Sequence, residues 1–436
     1  MKKQNILFLM LFTRTILKEI YNELETPEII ILLGSRQTGK TSLLNLLKAK
    51  FQDNNNRYIY LDLDIETNLV YFSSYENIID YIKLQGLNPH NDKIFLLIDE
   101  FQRIKNAGKT LKNLYDHHNN LKIIATGSSS IEINKTISES MSGRKIIFRT
   151  YPLTYKEFLI FKQRDNLIKI YDNFGIGNDI STTIHQTLEE LCVEKILFGA
   201  YPGVVLEKKI ERKGKKINDI LNSYLRKDIR EQFGIVDVVQ YQKVLEFLGI
   251  NISNLLNTNK IANQLDTYYR KIENLINIIS ETYIIDLVRP YFKNRKNEIV
   301  RNPKLYFEDT GIRNFLIKNM NTDIMLRNDW GNLVENFVYN ELINAIDIFS
   351  EIKFFRTKNG TEIDFLIMKN QNILPIEVKS GTSSYIPQSL FNFCKNERLK
   401  LGIIVNKDRS ECTEKDNISF IFVPYYLSSK IVNLLG

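Results

Sequence analysis

Gly34-Ser35-Arg36-Gln37-Thr38-Gly39-Lys40-Thr41 fits the pattern G-x-x-x-x-G-K-[ST] at every constrained position. The apolar run before it, Glu28-Ile29-Ile30-Ile31-Leu32-Leu33, reads as a buried strand. Ser42-Leu43-Leu44-Asn45-Leu46-Leu47 after it reads as a helix. Strand, glycine loop and helix in that order make a phosphate cradle. Glycines let backbone N–H groups turn inward around a polyphosphate, and the positive end of the helix dipole points to the same place. In such a cradle Lys40 neutralises the β- and γ-phosphates, and the Thr41 hydroxyl ligates Mg²⁺. The stretch predicts an α/β domain that binds a nucleoside triphosphate along Gly34 to Thr41.

Two further apolar runs follow. Arg57-Tyr58-Ile59-Tyr60-Leu61-Asp62-Leu63 reads as a second strand, and Lys93-Ile94-Phe95-Leu96-Leu97-Ile98 as a third that ends in Asp99-Glu100. A parallel strand presents its carboxyl end to the nucleotide. Asp99 is therefore expected to hold Mg²⁺ and Glu100 to polarise the attacking water. A fourth strand, Leu121 to Thr126, runs into Gly127-Ser128-Ser129-Ser130, which makes Thr126 and Ser128 candidate γ-phosphate sensors. A helix-like stretch with Ser142-Gly143-Arg144 precedes a fifth strand, Lys145 to Phe148. Arg144 is either a solvated helix-end arginine or one that reaches a neighbouring subunit's γ-phosphate.

Composition bounds the rest. A chain of 436 residues exceeds one ordinary core, and 43% hydrophobic with 25% charged residues is a soluble globular balance. A net charge of +8 and a pI near 9.0 are compatible with a nucleic-acid partner. Cys192, Cys394 and Cys412 lie far apart and histidines number four, which argues against a zinc site or a disulfide framework. The apolar N-terminal run Asn5 to Phe12 is short, and Arg14 and Lys18 follow it closely. It reads as a helix packed on the nucleotide domain, and a cytoplasmic protein with no membrane partner is expected.

Residues 151–235 read as a helical lid or connector, in which Lys208, Lys209, Arg212, Lys213, Lys215 and Lys216 form either a solvated loop or a phosphate-contacting patch. Residues 236–325 read as a winged-helix-like domain, with three helices and then a short hairpin over 236–302. Thr258 to Leu265 followed by Tyr268 to Ile272 looks like a helix-turn-helix. Arg289, Lys293, Arg295, Lys296 and Arg301 would decorate a wing, a fold used for DNA and for protein contacts alike. In residues 326–436, Lys353-Phe354-Phe355-Arg356 and Thr361 to Ile367 pair across the turn Lys358-Asn359-Gly360, and the strand Ile373 to Lys379 follows. Alternation puts Glu377 and Lys379 on one face, where Asp364 can converge with them. Two carboxylates holding Mg²⁺ beside a lysine suit phosphodiester hydrolysis, and the helical Glu335 could complete the metal site.

Two resemblances carry these readings further. Gly127-Ser128-Ser129, Ser142-Gly143-Arg144, Tyr151-Pro152-Leu153-Thr154-Tyr155-Lys156-Glu157-Phe158-Leu159, Gly199-Ala200-Tyr201-Pro202-Gly203 and Tyr306-Phe307-Glu308-Asp309-Thr310-Gly311 resemble a group of prokaryotic AAA-type ATPases with a C-terminal DUF4143-type module. Asp364 and, after twelve intervening residues, Glu377-x-Lys379 resemble the D…ExK signature of the restriction-endonuclease-like fold. Together they imply an α/β protein with a P-loop AAA-type core in residues 1–150, a winged-helix-like middle and a restriction-endonuclease-like end. ATP and Mg²⁺ are the implied cofactors. DNA, protein partners or further copies of the chain are the partners these features allow. Three classes of function follow: an ATP-powered DNA-processing enzyme, a non-cutting nucleotide-switched regulator, and a signalling ATPase.

Overall fold

The strand Ile29–Gly34 (β1) is buried at every residue, as an uninterrupted Ile/Leu run between two neighbours requires. The computed structural model describes residues 12–128, 141–176, 181–224, 238–292, 298 and 301–435. They cluster into a first unit from Met1–Tyr151, Ser223–Gly234 and Glu281–Tyr283, and a second from Pro152–Asn222, Ile235–Ser280 and Ile284–Gly436. Among the described residues no helix is long and apolar enough to cross a membrane.

In the first unit the labelled helices are Ile16–Asn22 (α1), Lys40–Asp53 (α2), Tyr75–Leu84 (α3) and Ala107–His117 (α4). The strands are β1, Tyr58–Asp62 (β2), Ile94–Asp99 (β3), Leu121–Ser128 (β4) and Lys145–Arg149 (β5). All pairings are parallel, in the order β2-β3-β4-β1-β5. Side chains alternate between the two faces: Ile29, Ile31 and Leu33 pack with the α3 and α4 side, and Ile30 and Leu32 with α1 and α2. The register sets Gly34 opposite Ser128 and Leu32 opposite Thr126, which brings three strand ends together. One expectation changes. Ser142–Arg144 form a turn with Gly143 at φ +72°, a left-handed conformation that ends a helix instead of continuing it. The N-terminal run Asn5 to Leu11, Ser129 and Ser130 lie outside the described residues.

The second unit holds Tyr155–Phe161 (α5), Thr182–Phe198 (α6), Val238–Ile250 (α7), Thr258–Gln264 (α8), Tyr269–Glu281 (α9), Thr310–Leu316 (α10), Trp330–Ile343 (α11) and Gln388–Asn396 (α12). Strands Ile285–Val288 (β6) and Lys304–Phe307 (β7) pair antiparallel, so α7, α8, α9 and a hairpin follow one another. Of the expected wing residues, Lys293, Arg295 and Lys296 lie outside the described residues. The last sheet has the order β12-β13-β11-β10-β9-β8, from Ser350–Arg356 (β8), Glu362–Lys369 (β9), Asn372–Val378 (β10), Leu401–Asn406 (β11), Glu411–Lys415 (β12) and Ile418–Pro424 (β13). Strands β8, β9 and β10 are antiparallel neighbours, and β10 is parallel to β11. The outer β12–β13 hairpin was not legible, because Glu411 to Lys415 is a polar edge strand.

The motifs around Gly199 and Gly311 meet inside this unit. A Cβ on Gly311 would lie 2.2 Å from the Phe198 carbonyl oxygen, and one on Gly199 would lie 2.1 Å from Asp309 Oδ1. Asp309 caps α10 by accepting the Ile312 N–H at 2.9 Å and accepts the Ala200 N–H at 2.6 Å. Glu341, on α11, accepts the Tyr155 N–H at 2.9 Å and pairs with the buried Lys195. Lys213 is turned inward to Glu194 at 3.1 Å and the Val204 carbonyl at 3.1 Å, on a helix Ile210–Ser223. It is therefore not part of a solvent-facing phosphate patch.

Burial pushes the Asp309 carboxyl up to about 6, although the Ala200 and Ile312 N–H groups and Lys195 favour its ionised form. An acid with a raised folded pKa favours folding below its ordinary value of 3.8, and that contribution is lost as pH rises through about 6. Asp309→Asn, which keeps a capping oxygen, is expected to flatten this loss. Urea denaturation at pH about 4 and about 6.5 reads it as up to about 3 kcal/mol less pH-dependence.

Candidate functional site

The loop Gly34 to Thr41 turns on backbone that side chains rarely adopt. Gln37 has φ +61° and Gly39 φ +100°, and Gly39 is the N-cap of α2. Thr150 braces the loop from below: its hydroxyl donates to the Leu33 carbonyl at 3.0 Å and meets the Thr38 hydroxyl at 3.2 Å. Thr38 in turn donates to the Ser35 carbonyl at 2.8 Å. Buried Arg14 bonds the Thr38 carbonyl at 2.8 Å and the Tyr151 carbonyl at 2.9 Å, which ties the loop to the segment after β5. Lys40 Nζ folds onto the Gly34 and Ser35 carbonyls at 2.7 and 2.8 Å. A buried ammonium held over the loop, above a helix N-terminus, suits an anionic phosphate chain. Ser35 is buried, Arg36 half-buried, and Thr41 is exposed on the first turn of α2.

Two short networks flank the loop. Asp99, buried at the end of β3, accepts from the Thr126 hydroxyl and from Tyr60 OH at 3.3 Å. Thr126 Oγ1 also accepts the Glu100 N–H at 3.1 Å, so one hydroxyl orients both acids. Burial, then Asp99 and Asp62, raises the Tyr60 pKa and keeps the phenol a donor. Glu100 sits in the left-handed region at φ +59°, ψ +46°, a conformation that costs about 1–3 kcal/mol and persists where its surroundings impose it. Gln102 Nε2 donates to the Glu100 carboxylate and to Ser128 Oγ at 3.0 Å. Ser128 is thus linked to Glu100, and Thr126 to Asp99.

Arg144 lies at the start of β5, where its carbonyl accepts the Ile29 N–H at 2.9 Å. Gly34 and the loop are at the other end of the same strand pair. Arg144 therefore does not serve its own subunit's loop, and its guanidinium pairs with Asp116 at 2.7 Å.

The second cluster stands on the last sheet. Asp364 Oδ2 accepts the Val378 N–H at 2.8 Å, and Lys379 pairs with Glu377 Oε1 at 2.8 Å. The convergence of Asp364 with Glu377 and Lys379 is present. Glu335, however, reaches Asp364 only through Lys304, whose Nζ lies 2.9 Å from Glu335 and 3.5 Å from Asp364 and pairs with Glu362. Tyr306 OH donates to the same Glu335 oxygen at 2.7 Å. Burial and then Asp364 push the Glu335 and Glu377 carboxyls up to about 7. Among the described residues no three His, Cys, Asp or Glu side chains gather to hold a metal ion, so the expected Glu335, Asp364 and Glu377 metal set is not assembled. The physical reason is that an ammonium lies among these carboxylates.

Residues 26–159 match the family described as an AAA domain, residues 189–323 a domain of unknown function (DUF8612), and residues 330–426 a domain of unknown function (DUF4143). An AAA domain and a DUF4143 domain are thus matched in succession along the chain, 134 and 97 of its 436 residues. The AAA-domain match supports ATP binding and hydrolysis. MJ1544, an uncharacterized protein of Methanocaldococcus jannaschii, is 28% identical over 371 residues, 83% of this chain and 77% of that protein. An uncharacterized protein of Haemophilus influenzae is 24% identical over 430 residues, covering 94% of this chain and 97% of its own length. A Walker-type ATPase of Pyrococcus abyssi is 15% identical, with 70% of this chain and 95% of that one covered and a TM-score of 0.46.

Sequence reasoning missed Tyr60, Gln102, Arg14 and Thr150 in the first site, and Lys304, Tyr306 and Glu362 in the second. Glu362 was readable, since it shares a face with Asp364 two residues on. Lys304 and Tyr306 alternate likewise just before Glu308-Asp309, but nothing local says that they face α11.

Thr126→Val keeps the shape and removes the hydroxyl shared by Asp99 and Glu100. A hydrogen bond to a charged group contributes about 1.5–3 kcal/mol, so ATP turnover should fall about 10- to 100-fold. Equilibrium nucleotide binding, measured with a fluorescent ATP analogue, should change little.

Proposed function

We propose that the protein is a Mg²⁺-dependent ATP hydrolase whose nucleotide cycle controls the C-terminal α/β module. The observation that carries this reading is the gathering of Lys40, Asp99, Glu100, Thr126 and Ser128 at the carboxyl ends of β1, β3 and β4. Bound Mg²⁺ and ATP supply the phosphoanhydride to be broken and the charge that balances its oxygens. The backbone N–H groups of Gly34 to Thr41 and the Lys40 ammonium hold the phosphates. The Thr41 hydroxyl and Asp99 would hold the metal. Glu100 takes the proton of the attacking water at its carboxylate, aimed by the Thr126 and Gln102 bonds. Ser128 senses the terminal phosphate through Gln102. Arg144, directed away from its own loop, is assigned to the γ-phosphate of a neighbouring copy.

Control of the module has a covalent route. Thr150, which braces the loop, follows Arg149, and the Arg149 guanidinium lies 4.5 Å from the Tyr283 ring centroid within the first unit. From Tyr283 the chain continues directly into β6 of the β6–β7 hairpin. Nucleotide contacts made at the loop are therefore relayed through Thr150 and Arg149 to the segment that leads into that hairpin.

Two readings of the module follow. In one it is a DNA-associated nuclease of the restriction-endonuclease-like kind, which the strand order β8-β9-β10-β11 and the Asp364/Glu377/Lys379 convergence support. In the other it does not cut, and acts as a nucleotide-switched regulator that binds DNA through the α8–α9 helix pair or binds protein. Lys304 among the carboxylates favours the second reading.

Phosphate release tests the hydrolase. Lys40→Ala is expected to lose ATP binding and turnover, and Glu100→Gln to keep binding while turnover falls by about 100-fold or more. Undiminished turnover in Glu100→Gln would remove the assignment of Glu100. On duplex, branched and single-stranded DNA with Mg²⁺ the wild type should show no cleavage. Cleavage that disappears in Asp364→Ala would restore the nuclease.

A further inference from the structure

The strongest unassigned feature is the place of Lys304 on β7. Its side chain is 3% exposed, and its Nζ touches carboxylates from two elements: Glu335 on α11, and Glu362 and Asp364 on β9. The Phe354 ring centroid, 5.7 Å from Nζ, adds an apolar wall. Burial alone would drive a lysine toward its neutral form, but Glu335, Asp364 and Glu362 outweigh that and hold the ammonium more firmly than in water. The backbone fixes its position, because Lys304 pairs with Val288 in the hairpin and forms a bridge to Leu255.

Charge accounting points the same way. The carboxylates Glu335, Glu362, Asp364 and Glu377 are faced by Lys304, Lys379 and Arg356, the last at 2.9 Å from Glu362. Three cations against four acids leave little net negative charge for a divalent ion. Mg²⁺ needs about six oxygens at about 2.0–2.1 Å in octahedral array. An ammonium 2.9 Å from Glu335 takes up that space and repels the ion. Glu377 Oε2, buried and without a hydrogen-bond partner, marks an oxygen that a cation could use if Lys304 were gone.

We propose that the Lys304 ammonium is the resident cation of this carboxylate centre and excludes a divalent metal ion from it. The inference rests on the non-cutting reading above and extends it by naming the group that keeps the centre metal-free. The cation is part of the chain, delivered by the hairpin that Tyr283 leads into.

The test uses the full chain without nucleotide and Mn²⁺ as the probe, with free Mn²⁺ followed by its EPR signal. Any Mn²⁺ held near Thr41 is common to all variants and cancels. Wild type and Asp364→Asn are expected to give the same isotherm. Lys304→Met is expected to gain one Mn²⁺ equivalent, which Lys304→Met/Asp364→Asn loses. A wild-type site whose Mn²⁺ affinity falls tenfold or more in Asp364→Asn would overturn the proposal. So would a folded Lys304→Met that gains no Mn²⁺. Should Lys304→Met not fold, the wild-type and Asp364→Asn comparison decides alone. Wild-type Mn²⁺ binding at Asp364 without DNA cleavage defeats only this inference, whereas Asp364-dependent cleavage defeats the non-cutting reading as well.

Discussion

Gly34 has no room for a side chain: a Cβ there would lie 2.2 Å from the Thr150 carbonyl oxygen. That close approach welds the end of β1 to the segment leaving β5, and much of the first unit depends on it. Because Thr150 is so near, its hydroxyl can reach both Leu33 and Thr38, and Arg14 can span from Thr38 to Tyr151. These bonds fix the backbone of the loop around Thr38. Preorganised donors of this kind act without reorganising at the moment of reaction.

From the same strand end the parallel register does the rest. Placing Gly34 beside Ser128 and Leu32 beside Thr126 sets a hydroxyl within reach of Asp99 and of the Glu100 backbone. The strained conformation of Glu100 is then held by bonds at both its N–H and its carboxylate. A buried acid survives only when its lone pairs are used. The network that satisfies Asp99 also aims Glu100, so stability and orientation come from one arrangement.

The second unit obeys the same rule with ions from distant parts of the chain. Glu341 accepts from Lys195 and the Tyr155 N–H, Asp309 accepts the Ala200 and Ile312 N–H groups, and Lys304 pairs with Glu335, Glu362 and Asp364. Removing one member of such a set leaves a buried charge unpaired, which costs far more than the pair gains. Within that unit these contacts lace together parts of the segments 151–235, 236–325 and 326–436, which were read separately along the chain.

What the chain alone determined is local. Eight residues with two glycines and a lysine specify the phosphate loop, because that chemistry needs those types at that spacing. The run ending in Asp99-Glu100, the Lys358-Asn359-Gly360 turn and the alternation through Glu377 and Lys379 were legible for the same reason: period and turn chemistry act over a few residues. Tertiary structure decided which polar groups meet. Thr150 lies over a hundred residues from Thr38, and Lys304 precedes Glu362 by 58, a separation no local pattern encodes. Asp364, Glu377 and Glu335 taken as sequence suggest a metal site. Only the fold brings Lys304 among the carboxylates, because the burial of β7 against α11 and β9 requires every charge there to find a partner.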